Sequence, residues 1–107
     1  MLLKSFSIRD VKAKAFIAPF FLPNAEMAQR QFAEAVNAPD HQFNKHSADY
    51  ELYEIGIWSD DSALFKPHEE PLLICNGAAL RRDPDPISLF DLKEQIDQLR
   101  SIVEFNK

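Results

Sequence analysis

Basic and aromatic side chains are interleaved over the first 21 residues, a combination that suits the binding of single-stranded nucleic acid. Cations can follow the phosphates of a single strand while exposed rings stack on its bases. The side chains concerned are Lys4, Phe6, Arg9, Lys12, Lys14, Phe16, Phe20 and Phe21. In the alternative interpretation the rings form the core of a small sheet and the lysines are only solvated. The orientation of the rings decides between the two.

Charge is distributed unevenly along the 107 residues, whose formal net charge is -5. Residues 1–49 carry six basic and five acidic side chains, whereas residues 50–107 carry six basic and twelve acidic ones. Within residues 1–16 four basic side chains face only Asp10, and an anion-binding surface is therefore expected in this N-terminal segment. The candidate nucleic-acid contacts are Arg9, Lys12, Lys14, Phe16, Phe21 and Lys45.

Motifs for catalysis and for cofactor binding are weak, and we expect no enzymatic activity and no cofactor. With only two glycines, a phosphate-binding glycine loop or a dinucleotide fingerprint is excluded. His41 and His46 lie near Asp40 and Asp49, but their spacing matches no established metal motif. The single cysteine, Cys75, stands in an apolar run and is expected to be a small buried hydrophobe. A lone cysteine also favours a reducing compartment.

The pattern of apolar residues predicts an α+β fold with a small antiparallel β-sheet and one packed helix. Residues 2–9 and 14–22 are predicted to form a hairpin, and Asn24 is a good N-cap for a helix over 24–37. The polar segment 38–49 is expected to form turns. A strand is predicted over 50–58, with Tyr53, Ile55 and Ile57 on one face. A short strand at 63–66, a charged loop at 67–71 and an apolar run at 72–80 follow, with Gly77 a candidate bulge.

The C-terminal part is predicted to be an amphipathic helix over 88–104 that follows a proline-containing linker at 81–87. Residues 1–80 then form the α+β domain. Apolar residues recur along the helix at alternating steps of three and four. They are Leu89, Leu92, Ile96, Leu99 and Val103. This stripe either folds back on the sheet or pairs with a second copy in a homodimer, and we regard it as a candidate oligomerisation surface.

Three stretches of the sequence, in order, resemble the non-structural protein of gokushovirus-type microviruses, small phages with circular single-stranded DNA. They are Phe6–Ala13; Pro19–Phe21 with Asn24 and Arg30–Phe32; and Lys45-His46 leading into Asp49–Gly56. The resemblance covers residues 3–80. It implies a protein of the infected host cytoplasm that acts in viral DNA replication or in single-stranded genome synthesis and packaging.

Two functions from different classes remain open at this point. In the first, the protein is a phage accessory protein that binds single-stranded DNA or viral or host replication proteins. In the second, it is an acidic homo-oligomeric interaction module that makes no contact with nucleic acid. No membrane association is expected, because no apolar run reaches the roughly 20 residues of a membrane helix.

Overall fold

A five-stranded antiparallel sheet with helices packed on one face makes up the computed structural model, which describes residues 1–82. The strands and helices are β1 (Leu2–Asp10), β2 (Ala15–Phe16), β3 (Phe20–Leu22), α1 (Ala25–Val36), α2 (Gln42–Lys45), β4 (Tyr50–Ser59), β5 (Phe65–Asn76) and α3 (Gly77–Leu80). A 3₁₀ turn at Ser47–Asp49 leads into β4. The α+β class with an antiparallel sheet was therefore predicted correctly. The helix at 88–104, its apolar stripe and most of the linker at 81–87 lie outside the described residues.

Strand β1 is central to the sheet, whose order is β2-β1-β4-β5, and β3 pairs with β1 on the same side as β2. The single extended run predicted at 14–22 is thus two short strands. Pro19 lies between them and has no N–H to donate to the ladder. Ile17 keeps the chain attached to β1, since its N–H donates to the Ile8 carbonyl at 2.9 Å.

The hairpin turn between β1 and β2 is organised by Asp10. Its carboxylate accepts hydrogen bonds from the N–H groups of Lys12 at 3.1 Å and Ala13 at 3.0 Å. Lys14 then adopts a left-handed conformation with φ 55° and returns the chain into β2. An aspartate that bonds the backbone two and three residues on can replace the Asn-Gly pair of a tighter turn. The predicted hairpin is confirmed.

Helix α1 covers one face of the sheet, as predicted. The Asn24 side chain accepts a hydrogen bond from the Met27 N–H at 2.9 Å, which caps the helix, and Asn37 ends it. The face of α1 that carries Ala28, Phe32 and Val36 is buried. Together with buried side chains of the sheet and of α2, it forms the hydrophobic core. The core residues are Phe6, Ile8, Ala28, Phe32, Val36, Phe43 and Leu52.

The polar segment 38–49 contains more structure than the predicted turns. Helix α2 begins after His41, whose Nδ1 accepts a hydrogen bond from the Phe43 N–H at 3.0 Å. Phe43 is buried, and its ring centroid lies 5.8 Å from that of Phe32 and 4.4 Å from that of Tyr50. One aromatic residue therefore anchors an otherwise polar segment to the core.

Strand β5 is longer than the predicted strand at 63–66 and takes in the predicted loop at 67–71. The register with β4 shifts between the pairs Glu54/Leu72 and Gly56/Pro67, so residues 68–71 extend beyond the ladder. The charged segment is thus an excursion within a strand and does not separate two strands. The apolar run ends as a strand at Asn76 and continues as α3.

Gly77 begins α3 and is not a bulge. A Cβ at this position would overlap the carbonyl oxygen of Ser47 and lie 3.3 Å from the Phe32 ring. The residue is therefore a point of close approach between α3 and the 3₁₀ turn, where a side chain has no room. The predicted bulge was wrong because a strand-interior glycine and a helix-start glycine look alike in the sequence.

Candidate nucleic-acid interface

The face of the sheet that points away from α1 carries most of the candidate site residues. Successive side chains of a strand point to opposite faces, so Phe6 and Ile8 enter the core while Ser5, Ser7 and Arg9 lie on the other face. Cross-strand partners of these three residues share their face. The partners include Phe21 opposite Ser5, Tyr53 opposite Ser7, and Phe16 opposite Arg9. We call this side of the sheet the ring face.

Two pairs of aromatic rings lie on the ring face. The Phe16 and Tyr53 centroids are 5.3 Å apart with the planes at 74°, and the Phe21 and Trp58 centroids are 5.6 Å apart at 49°. Phe16 is 44% exposed and Phe21 is 42% exposed, and Phe65 on the same face is 44% exposed. The two predicted stacking residues are therefore outward-facing, whereas Phe6 is fully buried and Phe20 packs against the core.

Trp58 and Tyr53 reach the same face because of a β-bulge. Strand β4 shifts register with β1 between Ser5/Gly56 and Phe6/Glu54, which leaves Ile55 as an extra residue. Strict alternation predicts Tyr53, Ile55 and Ile57 on one face and Trp58 on the other. With one residue inserted, Tyr53, Gly56 and Trp58 share the ring face. The expectation for this strand was wrong for that reason.

Gly56 lies on the ring face at a position that has no room for a side chain. A Cβ on Gly56 would lie 2.6 Å from the Phe65 ring and 2.6 Å from the Lys66 carbonyl oxygen. The ring of Phe65 therefore lies against Gly56 and covers backbone that has no side chain of its own. Tyr53, Trp58 and Phe65 were missed as site residues, and the signal that could have found them is a glycine between aromatic residues in a strand.

Arg9 supplies positive charge directly beside a ring. Its guanidinium carbon is 5.8 Å from the Phe16 centroid, within the range of a cation–π contact worth about 0.5–1 kcal/mol at an exposed site. Its cross-strand partner on β4 is Glu51, whose Oε1 accepts a hydrogen bond from the Tyr53 hydroxyl at 3.3 Å. Of the predicted contacts, the structure therefore places Arg9, Phe16 and Phe21 on the ring face, with Arg9 and Phe16 in contact.

The other predicted cations lie further from the rings. Lys12 and Lys14 are exposed in the hairpin turn that adjoins Phe16, and the Lys12 Nζ is 3.5 Å from Asp49. Ion pairs of this exposed kind are worth only about 0–1 kcal/mol, so a phosphate can replace the carboxylate. Lys45 is exposed on α2, which packs through Phe43 against the core on the helix-covered side.

Lys4 is engaged with a carboxylate on the core-facing side of the sheet. Its Nζ lies 3.1 Å from Glu54, whose other oxygen is 2.7 Å from Nε2 of His68. Burial alone raises the pKa of Glu54, but the hydrogen bonds from His68 and Lys4 outweigh it and hold the pKa below its ordinary value. Glu54 is therefore an internal partner that neutralises Lys4.

A group with a lowered folded-state pKa stabilises the protein above its unfolded pKa, and that contribution is lost as pH falls through the folded value. At neutral pH, Glu54→Gln is therefore expected to unfold more easily than wild type, and the difference should shrink below about pH 4. Urea titrations at several pH values measure it. A difference that stays constant from neutral to acid pH would contradict the assignment of the charge to Glu54.

Among the residues 1–82, no group of three or more histidine, cysteine, aspartate or glutamate side chains is placed to hold a metal ion. His41 caps α2 and His68 contacts Glu54, so the two lie in separate local structures. Cys75 is half-buried against the core, and burial raises the pKa of its thiol, although a hydrogen bond with Gln29 opposes this. None of the helices in this part of the chain is long and apolar enough to cross a membrane.

Comparison with known proteins identifies a family for this chain. A family model described as phage ORF5 protein matches residues 3–80, which include α1 and the whole sheet apart from Leu2 at the start of β1. No curated protein and no solved structure matches the chain. The matched segment is most of the sequence and holds the whole ring face, and the chain belongs to the phage ORF5 protein family.

Proposed function

We propose that this phage protein is a non-enzymatic accessory protein that binds single-stranded DNA on the ring face of its sheet. The two ring pairs, each with one exposed ring (Phe16 and Phe21), carry the proposal. Rings on an open antiparallel sheet provide flat surfaces on which unpaired bases can stack, at about 1–3 kcal/mol per base. Bases inside a duplex are already stacked on each other, so the same rings favour a single strand.

The positive charge near the ring face suits a DNA single strand that lies across β1 and continues past the hairpin turn. Arg9 stands beside Phe16, and Lys12 and Lys14 extend the positive potential beyond it. Lys45 stays a predicted contact, on the helix side of the same end of the sheet. The net charge of -5 opposes binding to a polyanion, and we therefore expect modest affinity with a strong dependence on salt.

The biological setting follows from the resemblance to gokushovirus-type microviruses. A protein that binds single-stranded DNA in the host cytoplasm would act when single-stranded genomes are synthesised or packaged, or by holding DNA for viral or host replication proteins. This proposal assigns no catalytic residue and no cofactor to the chain.

A reversal of charge in the hairpin turn tests the phosphate contacts. Lys12→Glu combined with Lys14→Glu is expected to abolish detectable binding of a labelled single-stranded oligonucleotide at moderate salt, because two attractive charges become repulsive. Fluorescence anisotropy at low and moderate salt measures this. The matched control is Arg30→Glu with Arg82→Glu, which changes the net charge equally on the groove beside α1. Equal affinity of the hairpin variant and the control would contradict the proposed surface.

A second function, that of a protein-interaction module, is supported by β5. This strand lies at the edge of the sheet and has no partner on its outer side among residues 1–82, and its Leu72 and Leu73 are 52% and 56% exposed. Open edge strands and exposed leucines are typical of surfaces that pair with another chain. Light scattering at increasing concentration, with Leu73→Glu as the comparison, tests whether this edge joins two copies.

A further inference from the structure

Two serines on β1 lie on the ring face and differ in their hydrogen bonding. Both are buried, Ser5 at 0% exposure and Ser7 at 1%. The Ser7 hydroxyl donates to the Ile17 carbonyl at 2.7 Å, whereas the Ser5 Oγ has no hydrogen-bond partner. Buried polar atoms in folded proteins nearly always have partners, so an isolated hydroxyl calls for an explanation.

The cover over Ser5 consists of aromatic rings. Its cross-strand neighbours are Phe21 on β3 and Gly56 on β4. The Phe21 ring leans on Trp58, and the Phe65 ring lies across Gly56. These aromatic neighbours on both sides of Ser5 account for its burial on the ring face.

This cover can open more easily than a packed core. Phe21 and Phe65 are each more than two-fifths exposed, so their outer sides have no protein atoms to hold them. A planar base entering between these rings would replace ring–ring contacts with ring–base contacts of similar strength. It would also bring the polar edge of the base to the one hydroxyl on this face that has no partner.

We infer that Ser5 is a base-contacting residue, whose Oγ forms a hydrogen bond with the edge of an unpaired base held among Phe21, Trp58 and Phe65. This inference rests on the proposed binding of single-stranded DNA. The ligand is an unpaired nucleobase with a donor or an acceptor on its edge, since a serine hydroxyl serves as either. In the free protein the same hydroxyl is buried at a cost to stability, which the bound base relieves.

Ser5→Ala separates the two effects of the hydroxyl. We expect the variant to melt about 2–8 °C higher than wild type, because a buried unsatisfied group is removed. We also expect it to bind a single-stranded oligonucleotide about 3- to 10-fold more weakly, because one neutral hydrogen bond is lost. Stability and affinity therefore change in opposite directions.

The matched control is Ser7→Ala, from the same strand and face. It removes a hydroxyl that has a partner, so its melting temperature should fall. A second control replaces the oligonucleotide with an abasic strand of equal length, which keeps the phosphates and removes the bases. Wild type and Ser5→Ala should bind the abasic strand equally.

The outcomes distinguish this inference from the proposed function. If wild type does not bind the single strand, both are wrong. If wild type binds but Ser5→Ala binds equally well, the rings bind DNA without Ser5 and only the inference is wrong. A lower melting temperature in Ser5→Ala, or an equal loss of affinity for the abasic strand, would also overturn it.

Discussion

Replacement of Phe16 and Phe21 together by alanine is expected to weaken single-stranded DNA binding by about 10²- to 10³-fold. Each stacked base is worth about 1–3 kcal/mol, and about 1.4 kcal/mol corresponds to a factor of ten. The two rings belong to different pairs, one with Tyr53 and one with Trp58, so each variant removes a separate stacking surface. Anisotropy titrations of the single and double variants at fixed low salt measure the loss.

The control for this prediction keeps apolar area and removes only the flat π surface. The variant Phe16→Leu with Phe21→Leu should therefore bind DNA weakly as well. A second control is Leu64→Ala in the β4–β5 turn: Leu64 is 71% exposed, and its substitution should leave the affinity unchanged. Circular dichroism should show each variant folded, since both rings are partly solvated. Wild-type affinity in the double alanine variant would show that the rings do not contact DNA.

Gly77→Ala is expected to destabilise the folded protein by about 1–3 kcal/mol or more, although it adds a single methyl group. The obstacle is the backbone carbonyl of Ser47, which cannot rotate away as a flexible side chain does. The substitution also crowds the Phe32 ring in the core. The free energy of unfolding from a denaturant titration, with its midpoint and slope, measures the change.

Ala79→Ser, two residues further along α3, is the matched control because Ala79 is exposed. Its free energy of unfolding should stay within about 0.5 kcal/mol of wild type. If Gly77→Ala were as stable as Ala79→Ser, then α3 would not be held against the 3₁₀ turn as described.

Elements with local signals were predicted well from the sequence. Asn24 ahead of a helical apolar pattern marks α1, and its side chain does cap the helix. The alternation over β1 and the polar turn at Asp10 are local as well, and the hairpin is confirmed. The outward orientation of Phe16 and Phe21 does not follow from the sequence, because alternation assigns residues to two faces without saying which face a helix covers.

The features that were predicted wrongly depend on contacts between distant segments. The extra residue at Ile55 is a mismatch between β1 and β4, and neither strand reveals it alone. The same holds for the excursion at 68–71, which depends on the register with β4. Helix α2 is stabilised by contacts of the Phe43 ring with Phe32 and Tyr50. Its N-cap is His41, a residue type that rarely caps helices and so gives little signal in the sequence. Each is a case in which tertiary contacts override local preference.

Trp58 allows the central claim to be measured without a label, because it is the only tryptophan of the chain and lies on the ring face beside Phe21. The measurement is its emission during titration with an unlabelled single-stranded oligonucleotide at low salt, repeated at moderate salt. Bases that stack on the ring face should quench the emission in a saturable manner, with a midpoint that moves to higher DNA concentration as salt rises. Constant emission would contradict the ring face as the DNA-binding surface. This holds whether a second method, such as anisotropy, detects DNA binding elsewhere on the protein or detects no binding at all.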